Sequence, residues 1–184
     1  TILFLIAASC EYKDHDVTVF TIGTSLGHSC LRRVSNNKML LLSFESAHLE
    51  IGSKFRRWLE KKGLLSLKAQ RRMMYMNYDF LSKEVIKSNV QGESARREIL
   101  EAIADEIVGC EKLIPGSEII CIEGGFGKWL GEMPDIKVEL SRIIESGIDY
   151  KARIIVGSLA FRHFKSNAFV RENYLCPGIV TFDE

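Results

Sequence analysis

The chain has 184 residues, of which 46% are hydrophobic, and a net charge of +1 at neutral pH. This charge excludes a global field that would draw the chain to nucleic acid or a membrane surface, and no apolar run reaches the ~20 residues of a membrane span. The five cysteines show no metal-ligand spacing, so we interpret them as buried free thiols of a cytoplasmic chain.

Apolar runs between polar turns predict strands in the first part of the chain. They cover residues 1–8, 17–22 and 39–44, with 30–34 as the hairpin partner of the last. The sequence begins with Thr1 rather than Met, which we interpret as a trimmed start. A helix is predicted from 48 to 62, where apolar residues recur on one face. Residues 1–63 are thus predicted to form a half with strands, a hairpin and a helix.

The second part of the chain predicts a parallel unit. Residues 64–93 are interpreted as a helical connector, and a helix follows from Ser94 to about Cys110. Apolar runs at 118–122 and 152–156 flank a helical pattern at 135–146, which indicates two parallel strands joined by a right-handed crossover. The fold class is therefore α/β, with residues 94–184 joined to 1–63 in one compact domain.

The layout of this second part resembles a repeat of the phospholipase D-like superfamily. The strand EIICIEGG, the helix IKVELSRIIESG and the strand KARIIVG are followed by His163-Phe164-Lys165, a histidine two residues before a lysine. The region from His28 to Glu45, with the helix EIGSKFRRWLEKKG, is similar to the later part of such a repeat. The resemblance implies a central sheet with helices on its faces.

The resemblance also implies a chemistry. Members of the superfamily cleave phosphodiesters with two facing histidines, while lysines hold the phosphate charge, which implies His163, Lys165 and His28 as catalytic residues. Cys30 stands where a lysine is expected after His28, and Val170 stands where an acid is expected after His163. These departures indicate a catalytically degenerate domain that needs no cofactor, with an active phosphodiester hydrolase as the alternative.

A second pattern points to metal chemistry. Pro134-Asp135 followed by Asp149-Tyr150-Lys151 matches the PD…(D/E)xK motif of metal-dependent nucleases. In such enzymes two carboxylates bind Mg²⁺ and the lysine positions the attacking water. Asp135 also stands at a predicted helix start, where Pro-Asp is common for capping reasons. We expect the cap, with Mg²⁺ held by Asp135, Asp149 and Lys151 as the alternative.

Two glycine-rich turns follow predicted strands. They are Gly23-Thr24-Ser25-Leu26-Gly27 and Gly124-Gly125-Phe126-Gly127-Lys128. Backbone N–H groups in such turns can bind phosphate, so Gly23, Thr24 and Ser25 are candidate ligand-binding residues. The first turn also resembles the ligand loop of nucleotide-sensing CARF domains, which have GTS after an early strand. Neither turn is a P-loop or a dinucleotide fingerprint, and plain strand-end turns are the alternative.

A basic and aromatic run completes the candidate residues. Arg71 and Arg72 precede Tyr75 and Tyr78, a mixture that can follow single-stranded nucleic acid, with a solvated helix face as the alternative. We therefore expect nucleic acid or a small phosphorylated ligand as the partner, no membrane, and a homodimer as a further option. Whether the chain is an enzyme stays open at this stage.

Overall fold

The elements of the fold are taken from a computed structural model, which describes residues 5, 8, 11–12, 14–35, 38–44, 53–64 and 75–157. The strands are β1 (Val17–Ile22), β2 (Leu26–Ser35), β3 (Lys38–Phe44), β4 (Ile119–Glu123) and β5 (Arg153–Val156). The helices whose full ranges are described are α1 (Ser53–Lys61), α2 (Tyr78–Gln91), α3 (Glu93–Leu113), α4 (Gly124–Gly131) and α5 (Pro134–Gly147).

The strands form one mixed sheet in the order β3-β2-β1-β4-β5. β1, β2 and β3 are antiparallel neighbours, whereas β4 and β5 extend the sheet on the other side of β1 as parallel neighbours. The predicted hairpin and the predicted parallel unit, with α5 as its connecting helix, are both confirmed. The α/β fold class is correct, and β1 lies between an antiparallel and a parallel partner.

Local sequence signals account for several helix ends. Asn77 precedes α2, and its side-chain oxygen accepts a hydrogen bond of 2.9 Å from the N–H of Phe80, as expected of a helix cap. In α5 the cap position belongs to Met133 and Pro134 is the first helical residue, which suits a residue without an N–H. The predicted cap at Asp135 is therefore wrong. Asp135 lies in the first turn, where a negative charge favours the helix dipole.

Two hydrophobic clusters cover the two faces of the sheet. The larger cluster joins residues of β1, β2, β4 and β5 to the five helices named above. The smaller one lies on the opposite face, since Val19 of β1 belongs to it while Phe20 belongs to the larger. Leu5 and Ala8 are part of the smaller cluster and are helical. The strand predicted for residues 1–8 is wrong at these positions, because an unbroken apolar run fits a buried strand and a buried helix equally well.

A buried ion pair joins the elements where β4 and β5 begin. Arg32 on β2 and Glu111 near the end of α3 lie 3.3 Å apart, with 11% and 0% of their side chains exposed. Arg32 also donates to Ile114 and Ser117, and Glu111 accepts from the hydroxyls of Ser117 and Tyr150. Burial, followed by the bond to Glu111, raises the pKa of Tyr150 to about 12, so its hydroxyl remains a donor at neutral pH.

Candidate functional site

Three strands end on the same side of the molecule. β1, β4 and β5 are parallel and in register, with Thr21 beside Glu123 and Ile122 beside Val156. Each is followed at once by a glycine: Gly23, Gly124 or Gly157. In open α/β sheets, ligands bind outside the carboxyl ends of the strands. We call this side the carboxyl end of the sheet, and it is the candidate site.

The turn between β1 and β2 contains the predicted ligand-binding residues Gly23, Thr24 and Ser25. The N–H of Gly23 donates to the carbonyl oxygen of Ser25 at 3.2 Å, which keeps the turn tight. Thr24 is exposed and Ser25 is half-buried. No described atom lies within 4 Å of a Cβ built on Gly23. The turn therefore presents two hydroxyl-bearing residues beside an open stretch of backbone.

The second glycine turn is the first turn of helix α4. Gly124 begins this helix directly after β4 and has a φ of +83°, which favours glycine. A Cβ on Gly124 would lie 2.8 Å from the carbonyl oxygen of Ile22, so the start of α4 presses against the end of β1. The first N–H groups of a helix have no partner within it and carry partial positive charge. Such groups can bind an anion.

Tyr78 contacts both turns. It is the first residue of α2, and its N–H donates to the carbonyl oxygen of Gly23 at 2.8 Å. A Cβ on Gly125 would lie 2.9 Å from the Cγ atom of its ring. The sequence places Tyr78 only in a basic and aromatic run, and its contact with the glycine turns was missed. Asn77 is the available signal, because a helix cap there predicts a helix start at Tyr78.

His28 lies in the hydrophobic core. It belongs to β2, is fully buried, and stacks on Phe20 with 4.7 Å between the ring centroids. Burial lowers the pKa of His28 to about 4, and the charge of Arg32 acts in the same direction. The ring is therefore neutral at pH 7 and cannot reach a substrate phosphate, which a general acid or nucleophile must do. The structure contradicts the predicted catalytic role of His28.

The three residues of the alternative metal site lie apart. Asp135 is in the first turn of α5, whereas Asp149 and Lys151 follow that helix. Because α5 has 14 residues and a helix rises 1.5 Å per residue, its two ends are about 20 Å apart. Among the described residues no group of three or more His, Cys, Asp or Glu could hold a metal ion. The predicted Mg²⁺ site is not assembled.

A concave surface lies between α3 and α5, with a volume of about 600 Å³. Arg96 and Glu139 face each other there, with Nε and Oε2 2.8 Å apart. Its charged residues are three arginines and three acids, so their charges cancel and favour no charged ligand. They are Glu93, Arg96, Arg97, Asp135, Glu139 and Arg142.

The sequence matches no protein-family model and no curated protein. Similar solved structures include a ROK family protein from Streptococcus pneumoniae TIGR4 in complex with sucrose, at 14% identity and a TM-score of 0.48. A Leishmania braziliensis glucokinase has 13% sequence identity and a TM-score of 0.46. A ROK family glucokinase from Streptomyces griseus in complex with glucose and AMPPNP has 14% sequence identity and a TM-score of 0.42. The matches cover 85%, 72% and 84% of this chain, which spans 57%, 43% and 61% of those chains.

The prediction of a phospholipase D-like fold and function is wrong. The similar structures are sugar kinases and a ROK family protein, and His28 is buried. Nuclease activity and a nucleic-acid partner have no support from the described residues or from these similarities. The other predicted residues, Arg71, Arg72, His163 and Lys165, lie outside the described residues. No helix in the described ranges is both long and apolar enough to cross a membrane.

Proposed function

We propose that the chain binds a small ligand through phosphate groups at the carboxyl end of the sheet. The observation that carries this proposal is the contact between its two glycine turns, where Gly124 approaches the carbonyl oxygen of Ile22 so closely that no Cβ fits. The contact brings the turn of Gly23, Thr24 and Ser25 beside the first turn of α4. Two groups of potential phosphate donors, separate in the sequence, thus become neighbours.

The donors are suited to phosphate because they are fixed in place. Backbone N–H groups at a helix start cannot turn away and bear partial positive charge. The hydroxyls of Thr24 and Ser25 can donate as well. Hydrogen bonds to an ionised group contribute about 1.5–3 kcal/mol each, more than those between neutral groups. Since the chain carries a net charge of only +1, recognition depends on these local donors.

Thermal unfolding in the presence of ligands tests the proposal. The probes are inorganic phosphate, pyrophosphate, ADP and, without phosphate, adenosine and glucose. A ligand present at 100 times its Kd stabilises the folded state by about 2.7 kcal/mol, which for a chain of this size is a rise in Tm of roughly 5–10 °C. We expect that rise with ADP and pyrophosphate and none with adenosine. The proposal fails if no phosphate-bearing probe raises Tm at any concentration up to 10 mM, on the order of a weak Kd.

A charge substitution locates the site. Thr24→Glu places a carboxylate on the exposed turn and should repel a phosphate, which raises Kd by about tenfold or more. Lys151→Gln changes the net charge by the same amount at an exposed residue beyond the far end of α5 and should leave Kd unchanged. Equal effects of the two substitutions on the Kd for ADP would show that only the overall charge matters, and would contradict a site at the carboxyl end.

A further inference from the structure

Helix α5 supplies three charged residues to the concave surface between α3 and α5. One of them, Glu139, faces Arg96 of α3 with Oε2 and Nε 2.8 Å apart, so that this charge is neutralised within the chain. The other two, Asp135 and Arg142, are exposed, and neither has an ion-pair partner among the described residues. One acid and one cation of α5 are therefore available to a partner.

These two charges lie on either side of an exposed apolar residue. Asp135 and Arg142 are seven residues apart, which is two helical turns, so they lie on the same face of α5 and about 10 Å apart along its axis. Val138 lies between them, with 45% of its surface exposed. Side chains pair along a helix when they are three or four residues apart, so Asp135 and Arg142 are too distant to pair with each other. The order along this face is therefore acid, valine, cation.

We infer that this face of α5 is the contact between two copies of the chain, with Asp135 of each copy paired with Arg142 of the other. When the two α5 helices lie antiparallel about a two-fold axis near Val138, the acid of each faces the cation of its partner and the valines meet at the centre. A two-fold dimer needs such a self-complementary surface, because both copies present the same residues. The surface does not suit a partner of one charge sign, since its acids and arginines are equal in number.

Sedimentation velocity over a range of protein concentrations tests the contact. The wild-type chain should change from monomer to dimer between about 1 µM and 1 mM, the range of moderate to weak association. Arg142→Glu places two acids opposite each other at both ends of the contact, and should raise the Kd of the dimer at least about 100-fold. Lys83→Glu changes the net charge by the same amount at an exposed residue of α2 and should leave this Kd unchanged.

Two variants that do not dimerise separately should associate when they are mixed. Asp135→Lys leaves cations facing each other, and Arg142→Glu leaves acids facing each other, so neither should form a dimer with itself. In the mixed dimer opposite charges meet at both ends, and the Kd should return to within about tenfold of the wild-type value. Such recovery also excludes unfolding as the cause of the separate losses. A wild-type chain that stays monomeric at 1 mM, on the order of a weak Kd, would overturn the inference. An unchanged Kd in both variants, or no association in their mixture, would overturn it as well.

Discussion

At the scale of single residues, His28 makes stability depend on pH. Its pKa is about 4 in the folded chain against 6.5 ordinarily. Between these pH values the unfolded chain binds a proton that the folded chain excludes, so stability is lost as pH falls from about 6.5 towards 4. From pH 7 to pH 5 this amounts to about 2 kcal/mol. His28→Phe preserves an aromatic ring but cannot bind a proton. From pH 7 to pH 5, the free energy of unfolding of this variant in urea should fall by about 2 kcal/mol less than that of the wild-type chain.

A variant that changes no titratable group provides the control for this prediction. Val85 is fully buried, and Val85→Ala should lower the free energy of unfolding at both pH values. Its loss of stability between pH 7 and pH 5 should equal that of the wild-type chain. If His28→Phe also lost as much as the wild type, the buried ring would not be the cause.

The buried pair of Arg32 and Glu111 should behave differently from an exposed pair. Arg32→Met leaves the carboxylate of Glu111, which is 0% exposed, without its cation, and should cost about 3–5 kcal/mol. Adding Glu111→Leu removes the stranded charge and should recover much of that loss. Arg56→Ala, at an exposed pair with Glu60, should cost about 0.5 kcal/mol. Urea unfolding of the four variants of the double-mutant cycle measures the coupling. A cost for Arg32→Met no larger than that for Arg56→Ala would contradict this account.

At the scale of elements, the contact between α4 and the end of β5 requires glycine. Gly157 has a φ of +55°, and a Cβ there would lie 1.9 Å from the carbonyl oxygen of Gly127. Gly63 has a similar φ of +68°, but a Cβ there would meet nothing within 4 Å. Gly63→Ala should therefore cost only the backbone term of about 1 kcal/mol. Gly157→Ala should cost about 2–4 kcal/mol, since overpacking adds to it.

The difference between these two alanine variants isolates the packing of α4 on the strand. Urea unfolding of both variants measures it directly. Equal losses would mean that α4 can move away from β5 at no cost.

The same helix shows where the sequence could and could not predict the fold. The parallel strands and α5 were predictable because apolar runs and helical spacing are local patterns. The residues from Gly124 onwards were predicted as a turn, because glycine disfavours helices. The glycines of this helix are explained by its close approach to the backbone of Ile22 and Ile122, where a Cβ would not fit. The candidate site was predictable in part: Gly23, Thr24 and Ser25 stand out as a turn after a strand. Gly124 and Tyr78 lie close to this turn because of the order of the strands in the sheet. A local sequence pattern does not predict that order.

At the scale of the whole molecule, the central position of β1 unites distant parts of the chain. β1 pairs with β2, which follows it within a few residues of the chain. It also pairs with β4, where Val17 lies opposite Ile119, about a hundred residues later in the sequence. The larger hydrophobic cluster draws residues from both sides of Gly92, from Phe20 to Val156. The residues before and after Gly92 can bury this cluster only when these contacts between distant parts of the sequence have formed. The two sides of Gly92 should therefore depend on each other.

Separation of the chain at Gly92 tests that dependence. A fragment of residues 93–184 keeps β4 but loses its neighbour β1, so that an unpaired strand and the apolar face of Ile120 and Ile122 meet water. A fragment of residues 1–92 loses α3, the helix that lies in the larger cluster. We expect neither fragment alone to unfold cooperatively in a thermal melt followed by circular dichroism, and an equimolar mixture to regain a cooperative transition. A cooperative melt of residues 93–184 alone would show that β4 and β5 form a core without β1, and the central role of β1 would be wrong.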